Sequence, residues 1–358
     1  MTKGPAVSRR WATMAVAVAG LVAAVALLTA GCGSSSDAAG TTESTATDTT
    51  AAKAIKVGLI TDLGQLNDNG FNEGAYNGLK RAERVLGVKG RVVESASAAD
   101  YIPNMSTLAK QGYDLIIGVG FAQGDAIGTV AKRYPATNFA IVDVDQASLK
   151  GKPANVVGLL FREEQVGYLA GYLAAREAKR AGADRISAVG GFKEPPVDRY
   201  IAGYRAGAKA AVPGMVVKWG YSQDWDDQAK CKELALNQIA AGSKVVFQVA
   251  GGCGLGALLA AKEQKVWGIG VDGDQSFLGP HVLTSALKGV DSAVFLTSKA
   301  VQDGMFKGGT NSVFGLDQDG VGLGKFSPRA NKADIAATEK IQQQIADGTI
   351  SDIPTTLG

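Results

Sequence analysis

Along residues 54–358, short apolar runs rich in β-branched residues alternate with stretches whose apolar positions recur at helical spacing. The strand-like runs fall at 56–60, 91–94, 115–119, 139–144, 156–161, 186–189, 216–219, 245–249, 266–271 and 282–286. Helical spacing marks 71–86, 122–133, 164–179, 197–211 and 227–240. Continuous apolar runs read as strands buried on both faces, as in a parallel sheet. Their alternation with helices means βαβ units, so the fold class is α/β with mostly parallel sheets. Ten strands crowd a single open sheet but fit two five-strand halves. A folded part of about 305 residues has room for two such domains. No linker divides them, because the pattern runs straight through Phe161-Arg162-Glu163-Glu164. A two-lobed molecule with its ligand between the lobes follows.

The first 31 residues break this pattern. Lys3, Arg9 and Arg10 precede an almost unbroken apolar run over 11–28, and Thr29-Ala30-Gly31-Cys32 closes it. A charged start, an apolar middle and small residues before a cleavage point read as an export signal, with a retained anchor as the alternative. Ala30-Gly31-Cys32 resembles a bacterial lipobox, which makes Cys32 the lipidated first residue of the mature chain and gives it a membrane anchor. Residues 32–53 are Ser/Thr/Ala/Gly/Asp-rich and carry no large apolar side chain, so they read as a flexible tether. The formal net charge of +3 is matched by the three basic residues of the signal, leaving the mature chain neutral. No basic field remains to attract nucleic acid.

Ligands of open α/β sheets bind at the carboxyl ends of the strands. The first strand ends in Thr61-Asp62, and Asp68, Phe71 and Asn72 follow before the helix. Carboxylates and an amide around a ring suit a flat hydrogen-bonding ligand such as a nucleobase; a plain strand, turn and helix cap with Phe71 in the core is the alternative. Asp143 and Asp272 close two further strands. Asp272 is expected to accept from ribose hydroxyls, as an acidic residue does in dinucleotide folds, while Asp62 or Asp143 faces the base edge. Helix caps or ion pairs between the lobes are the competing roles. Phe121 either lines the pocket or joins the core, and Gly251 sits where backbone must approach a ligand. Gly118-Val-Gly120-Phe-Ala-Gln-Gly124 has the wrong spacing for a dinucleotide fingerprint. With His281 as the single histidine, most triads and His-based metal sites are excluded. No cofactor, metal site or catalytic residue is expected. Cys231 and Cys253 are an even pair in an exported chain and read as a disulfide or as two free thiols.

Asp62-x-Gly64-x-x-x-Asp68-x-x-Phe71-Asn72 resembles the opening motif of the basic membrane protein (PnrA-like) family. So do Val157-Gly158-x-x-Phe161-Arg162-Glu163-Glu164-Gln165-x-Gly167-Tyr168-Leu169-Ala170-Gly171, Gly270-Val271-Asp272-Gly273-Asp274-Gln275 and Thr284-Ser285-Ala286-Leu287-Lys288. The resemblance implies a type I periplasmic-binding-protein fold whose chain crosses between lobes three times. Lobe one would be 54–161 plus 289–314, and lobe two 162–288 plus 315–358. It implies a substrate-binding lipoprotein of an ABC importer, on the outer face of the cell membrane, that passes a purine nucleoside (guanosine, inosine or adenosine) to a permease driven by a separate ATPase. It further implies Lys288 beside the sugar and a second stacking ring in the loop after the strand at 216–219. Trp225 is the local candidate for that ring and Tyr221 its rival. A monomer is expected. A sugar or another small polar metabolite is the alternative ligand, and a dinucleotide-dependent enzyme a more distant reading.

Overall fold

The computed structural model describes residues 54–358; the signal at 1–31, Cys32 and the tether at 32–53 lie outside the described residues. Twelve strands form two six-stranded sheets. The first contains β1 (Lys56–Ile60), β2 (Lys89–Val93), β3 (Leu115–Gly118), β4 (Asn138–Val142), β5 (Val156–Phe161) and β11 (Thr310–Phe314), in the order β11-β5-β4-β3-β1-β2 and parallel throughout. The second contains β6 (Arg185–Gly190), β7 (Val216–Tyr221), β8 (Val245–Val249), β9 (Trp267–Asp272), β10 (Val282–Lys288) and β12 (Val321–Leu323), in the order β12-β10-β9-β8-β6-β7. Only β12 runs antiparallel among the described pairings of that sheet. All ten expected strands are present. The expected five per half become six because polar, exposed β11 and three-residue β12 carry no apolar run.

Among the described residues eight helices connect strands, α1 (Phe71–Leu86), α2 (Tyr101–Lys110), α3 (Gly124–Arg133), α4 (Glu163–Arg180), α5 (Pro195–Ala211), α6 (Gln228–Ala240), α7 (Gly254–Glu263) and α8 (Val290–Gln302), and α9 (Lys332–Ala346) follows the last strand. The chain leaves the first sheet after β5, returns after β10, and leaves again between β11 and β12. These passages lie side by side: Arg162 N–H donates to the Phe314 carbonyl (3.0 Å) and Gly289 N–H to that of Gly320 (2.9 Å). The Phe161 and Phe314 rings stack at 5.1 Å beside them.

Helices α4 and α5 cross at unusually close range. A Cβ on Gly171 would lie 1.9 Å from the Tyr204 carbonyl oxygen, and one on Gly207 1.9 Å from that of Tyr168. Backbone against backbone leaves room for hydrogen and nothing larger. This explains Gly167, Gly171, Gly203 and Gly207 as packing residues, which orient α4 and with it Glu163. Gly207→Ala is therefore expected to destabilise the fold by about 1–3 kcal/mol, as overpacking does. Gly322→Ala, where a Cβ meets nothing within 4 Å, should stay within about 0.5 kcal/mol of the parent. Urea denaturation of both variants checks this, and equal stabilities would refute the close-crossing argument.

Candidate functional site

Because most strands run parallel, their carboxyl ends share one edge in each sheet, and the two edges face a common cleft. Asp62 follows β1, Gly120 and Phe121 follow β3, and Asp143 follows β4. From the second sheet come Glu194 after β6, Trp225 after β7, Gly251 after β8, Asp272 at the end of β9 and Lys288 at the end of β10. These residues of both sheets surround one cleft, with about 610 Å³ of space in it when the part open to solvent is included. Across its side, Gln275 Nε2 donates to the Asn69 carbonyl of the other lobe at 3.2 Å.

Asp62 is buried, and its Oδ1 accepts from Tyr101 Oη (2.7 Å) and from Leu63 N–H (2.8 Å). Burial pushes its carboxyl up to about 6, although both donors hold it down. The other oxygen faces Gly120, where φ is +110° and a Cβ would lie 1.9 Å from Oδ2. Only glycine meets both conditions. Asn72 accepts from Asp62 N–H through Oδ1 (3.1 Å), which leaves its amide nitrogen without a partner among the described residues.

Asp68 takes the helix-cap role that stands as the alternative to ligand contact. Its two oxygens accept from Gly70 N–H (2.9 Å), Asn72 N–H (2.8 Å) and Glu73 N–H (3.2 Å), so they satisfy the free donors at the start of α1. It also lines the cleft, with each oxygen already accepting at least one backbone N–H.

Asp143 and Lys288 both line the cleft and also meet each other, which is the ion-pair role named as the alternative for Asp143. Lys288 Nζ lies 2.7 Å from the Asp143 carboxylate and 2.9 Å from Glu163 Oε1, and its side chain is 2% exposed. The Phe71, Phe161 and Tyr200 rings surround the ammonium at 5.1, 5.0 and 6.0 Å. Burial works against its charge, yet Asp143, Glu163 and Asp272 together hold it above the usual lysine value. Burial pushes Glu163 up in turn, against the pull of Lys288.

Asp272 stands at φ +62° and accepts from Tyr200 Oη at 3.3 Å. Burial pushes it up to about 7, partly offset by Lys288. Glu194 has no hydrogen-bond partner among the described residues, and burial followed by the charges of Asp62 and Asp143 raises it to about 7. Sequence reasoning missed Glu194, although its place just beyond the end of β6 on the same edge is the signal that finds it. Glu163 and Tyr101 were missed as well, since each looks like an ordinary helix-start residue.

Of the two candidate rings, Trp225 lines the cleft, while Tyr221 Oη donates to Asp198 Oδ1 away from it. Phe71 and Phe121 contribute the opposing apolar surface. Cys231 and Cys253 form a disulfide, and Cys253 N–H donates to the Trp225 carbonyl at 2.8 Å, which ties the Trp225 loop to the Gly251 loop. Among the described residues, no cluster of histidine, cysteine and carboxylate side chains could hold a metal ion. His281 lies at the other end of the second lobe, outside the cleft.

Two parallel-sheet lobes whose ligand edges enclose one polar and aromatic cleft define a solute-binding protein of the type I periplasmic-binding-protein fold. The chain belongs to the ABC transporter substrate-binding protein PnrA-like family, whose family model matches residues 55–354. It serves transport as a binding protein and is not an enzyme. It is 35% identical to the CD4+ T-cell-stimulating antigen of Listeria innocua, over 94% of this chain and 97% of that protein. It is 34% identical to the ABC transporter nucleoside-binding protein BmpA of Lactococcus lactis, again over 94% and 97%. A solved ABC transporter solute-binding protein from Aeropyrum pernix superposes with a TM-score of 0.75 at 28% identity, over 84% of this chain and 94% of that one.

Replacing Lys288 by Met should destabilise the fold by about 3–5 kcal/mol, because Asp143 and Glu163 are left buried without their cation. Calorimetry should also show the variant recovering as pH falls and Glu163 protonates. In the parent, Asp62, Glu194 and Asp272 have folded-state values above the ordinary carboxylate range. The native chain therefore holds protons that the unfolded chain has lost, and stability falls as pH rises from about 4 to about 7. His281, held low by burial, acts in the opposite sense below its usual value. Glu163, Asp68 and Glu164 are raised by burial as well, so the raised carboxyls outnumber the one lowered imidazole and the protein should melt higher at about pH 5 than at about pH 7.5; a lower melting point at pH 5 would contradict the assigned burial of these carboxyls.

Proposed function

We propose that this protein is a lipid-anchored receptor, monomeric outside the cell membrane, that closes on a purine nucleoside and delivers it to an ABC permease. The segments 54–161 with 289–314 and 162–288 with 315–358 move as the two lobes, and Cys32 carries the lipid after removal of 1–31. The single observation that carries the ligand reading is the pairing of aromatic faces with carboxylates from both lobes in one cleft. Trp225 approaches from the second lobe and Phe71 and Phe121 from the first. Asp62 accepts from base N–H groups, and Asp272 accepts from the two ribose hydroxyls.

A thermal-shift series tests this with nucleosides, free bases, ribose and other sugars, since a ligand that binds only the folded state raises the melting temperature. Guanosine, inosine or adenosine should stabilise the protein and ribose should not; a response to sugars alone would overturn the ligand while leaving the fold. Asp272→Ala should weaken nucleoside binding by about 1.5–3 kcal/mol, and Trp225→Ala by about 1–3 kcal/mol. Calorimetric titration measures both, and unchanged affinity in either variant would remove that residue from the site.

A further inference from the structure

The second sheet has another end. Strands β8, β9 and β10 run parallel, so their amino ends lie together about 20 Å from the cleft edge, the length of a six-residue strand. Lys244 precedes β8, Trp267 begins β9 and His281 precedes β10, while Lys262 and Lys265 flank the end of α7 and Arg329 comes from the loop after β12. These six line one surface depression in which no carboxylate takes part. None of the four lysine and arginine groups has an ion-pair partner among the described residues.

Cations near a helix carboxyl end often only complement its dipole. That accounts for Lys262, in the last turn of α7, but Lys244, Arg329 and His281 stand on no helix. The Arg329 guanidinium is poised 5.1 Å from the Trp267 ring centre, an arrangement that holds the fork in place for an acceptor. His281 is 7% exposed. Burial, with Lys262 and Arg329 adding to it, lowers its imidazole below the ordinary value. A cationic concavity on a folded part with little net charge is a local field, and such fields gather anions.

We propose that this depression is a second binding site, separate from the cleft, for a phosphate-bearing anion. Arginine and lysine together supply the fork and the point charges that phosphate oxygens accept from. The source is either a soluble phosphate compound or the headgroup of an anionic phospholipid.

Because His281 is the chain's one histidine, its imidazole resonances report on this site alone. The experiment is an NMR titration of His281 in the untagged full chain in neutral detergent. The probes are inorganic pyrophosphate, and chloride at matched ionic strength. Pyrophosphate should raise the His281 pKa saturably, and chloride should not. The variant Lys262→Gln with Arg329→Gln should weaken the pyrophosphate response about tenfold or more, with its far-ultraviolet circular dichroism and melting unchanged. Its unloaded His281 should also titrate higher than in the parent, since two cations have gone. Nanodiscs distinguish the source. A shift with anionic but not zwitterionic lipid assigns a headgroup, and a shift with soluble pyrophosphate alone assigns a solute. Silence from both pyrophosphate and anionic nanodiscs, an equal response to chloride, or an undiminished response in the variant would overturn the proposal.

Discussion

Lys288 carries a positive charge into the interior at the point where the second sheet hands the chain back to the first. Removing an ammonium from water costs several kcal/mol, and only close, well-directed carboxylates offset it. Asp143 comes from the end of β4 in one lobe, and Glu163 from the start of α4, just past the first crossing. The cluster therefore fixes two crossings and both sheet edges relative to one another. Asp143 and Asp272 hold left-handed backbone at φ +71° and +62°. Each such residue costs about 1–3 kcal/mol and persists where its surroundings over-determine it. Here the surroundings are Lys288 and the Tyr200 hydroxyl.

Once those groups are tied up, what remains free in the cleft is a shorter set. Asp68 serves α1, and Asp143 serves Lys288. Asp62 Oδ2, the Asn72 amide nitrogen, the Glu194 carboxylate and one oxygen of Asp272 stay unsatisfied by protein. They are divided between the two lobes. Any ligand that satisfies all of them must touch both lobes at once, which is the condition under which a ligand favours a closed arrangement.

How much of this was legible follows from the range of the interactions concerned. The strands and α1 were readable because an apolar run, or a 3.6-residue repeat, is local. β11 escaped because Thr-Asn-Ser-Val-Phe has no apolar run, and β12 because three residues make none. The end-of-strand rule found Asp62, Asp143 and Asp272, yet it could not say which would face ligand and which an ion-pair partner. That choice depends on Lys288, which is 145 residues from Asp143 in sequence. Trp225 and Tyr221 are separable only through Asp198, a residue of α5. Glu194 was hidden by its neighbours, since Lys-Glu-Pro-Pro reads as a surface approach to a helix.

Burial raises the cleft carboxyls of Asp62, Asp68, Glu194 and Asp272 together, which bears on specificity. Carboxylates packed close in a partly dehydrated cleft repel one another when ionised, and that repulsion weighs against bringing the two lobes together. A ligand relieves it by donating hydrogen bonds where water formerly did. Under the nucleoside reading proposed above, free ribose brings hydroxyl donors to Asp272 but no flat face for Trp225, and a free base fills the aromatic end but leaves Asp272 without a diol. Under the nucleoside reading, both ends are answered by one rigid molecule, and the glycosidic bond joins them without the entropic cost of ordering two separate ligands. On that reading, selectivity for the whole nucleoside rests on Asp62 and Asp272 standing in opposite lobes of one cleft.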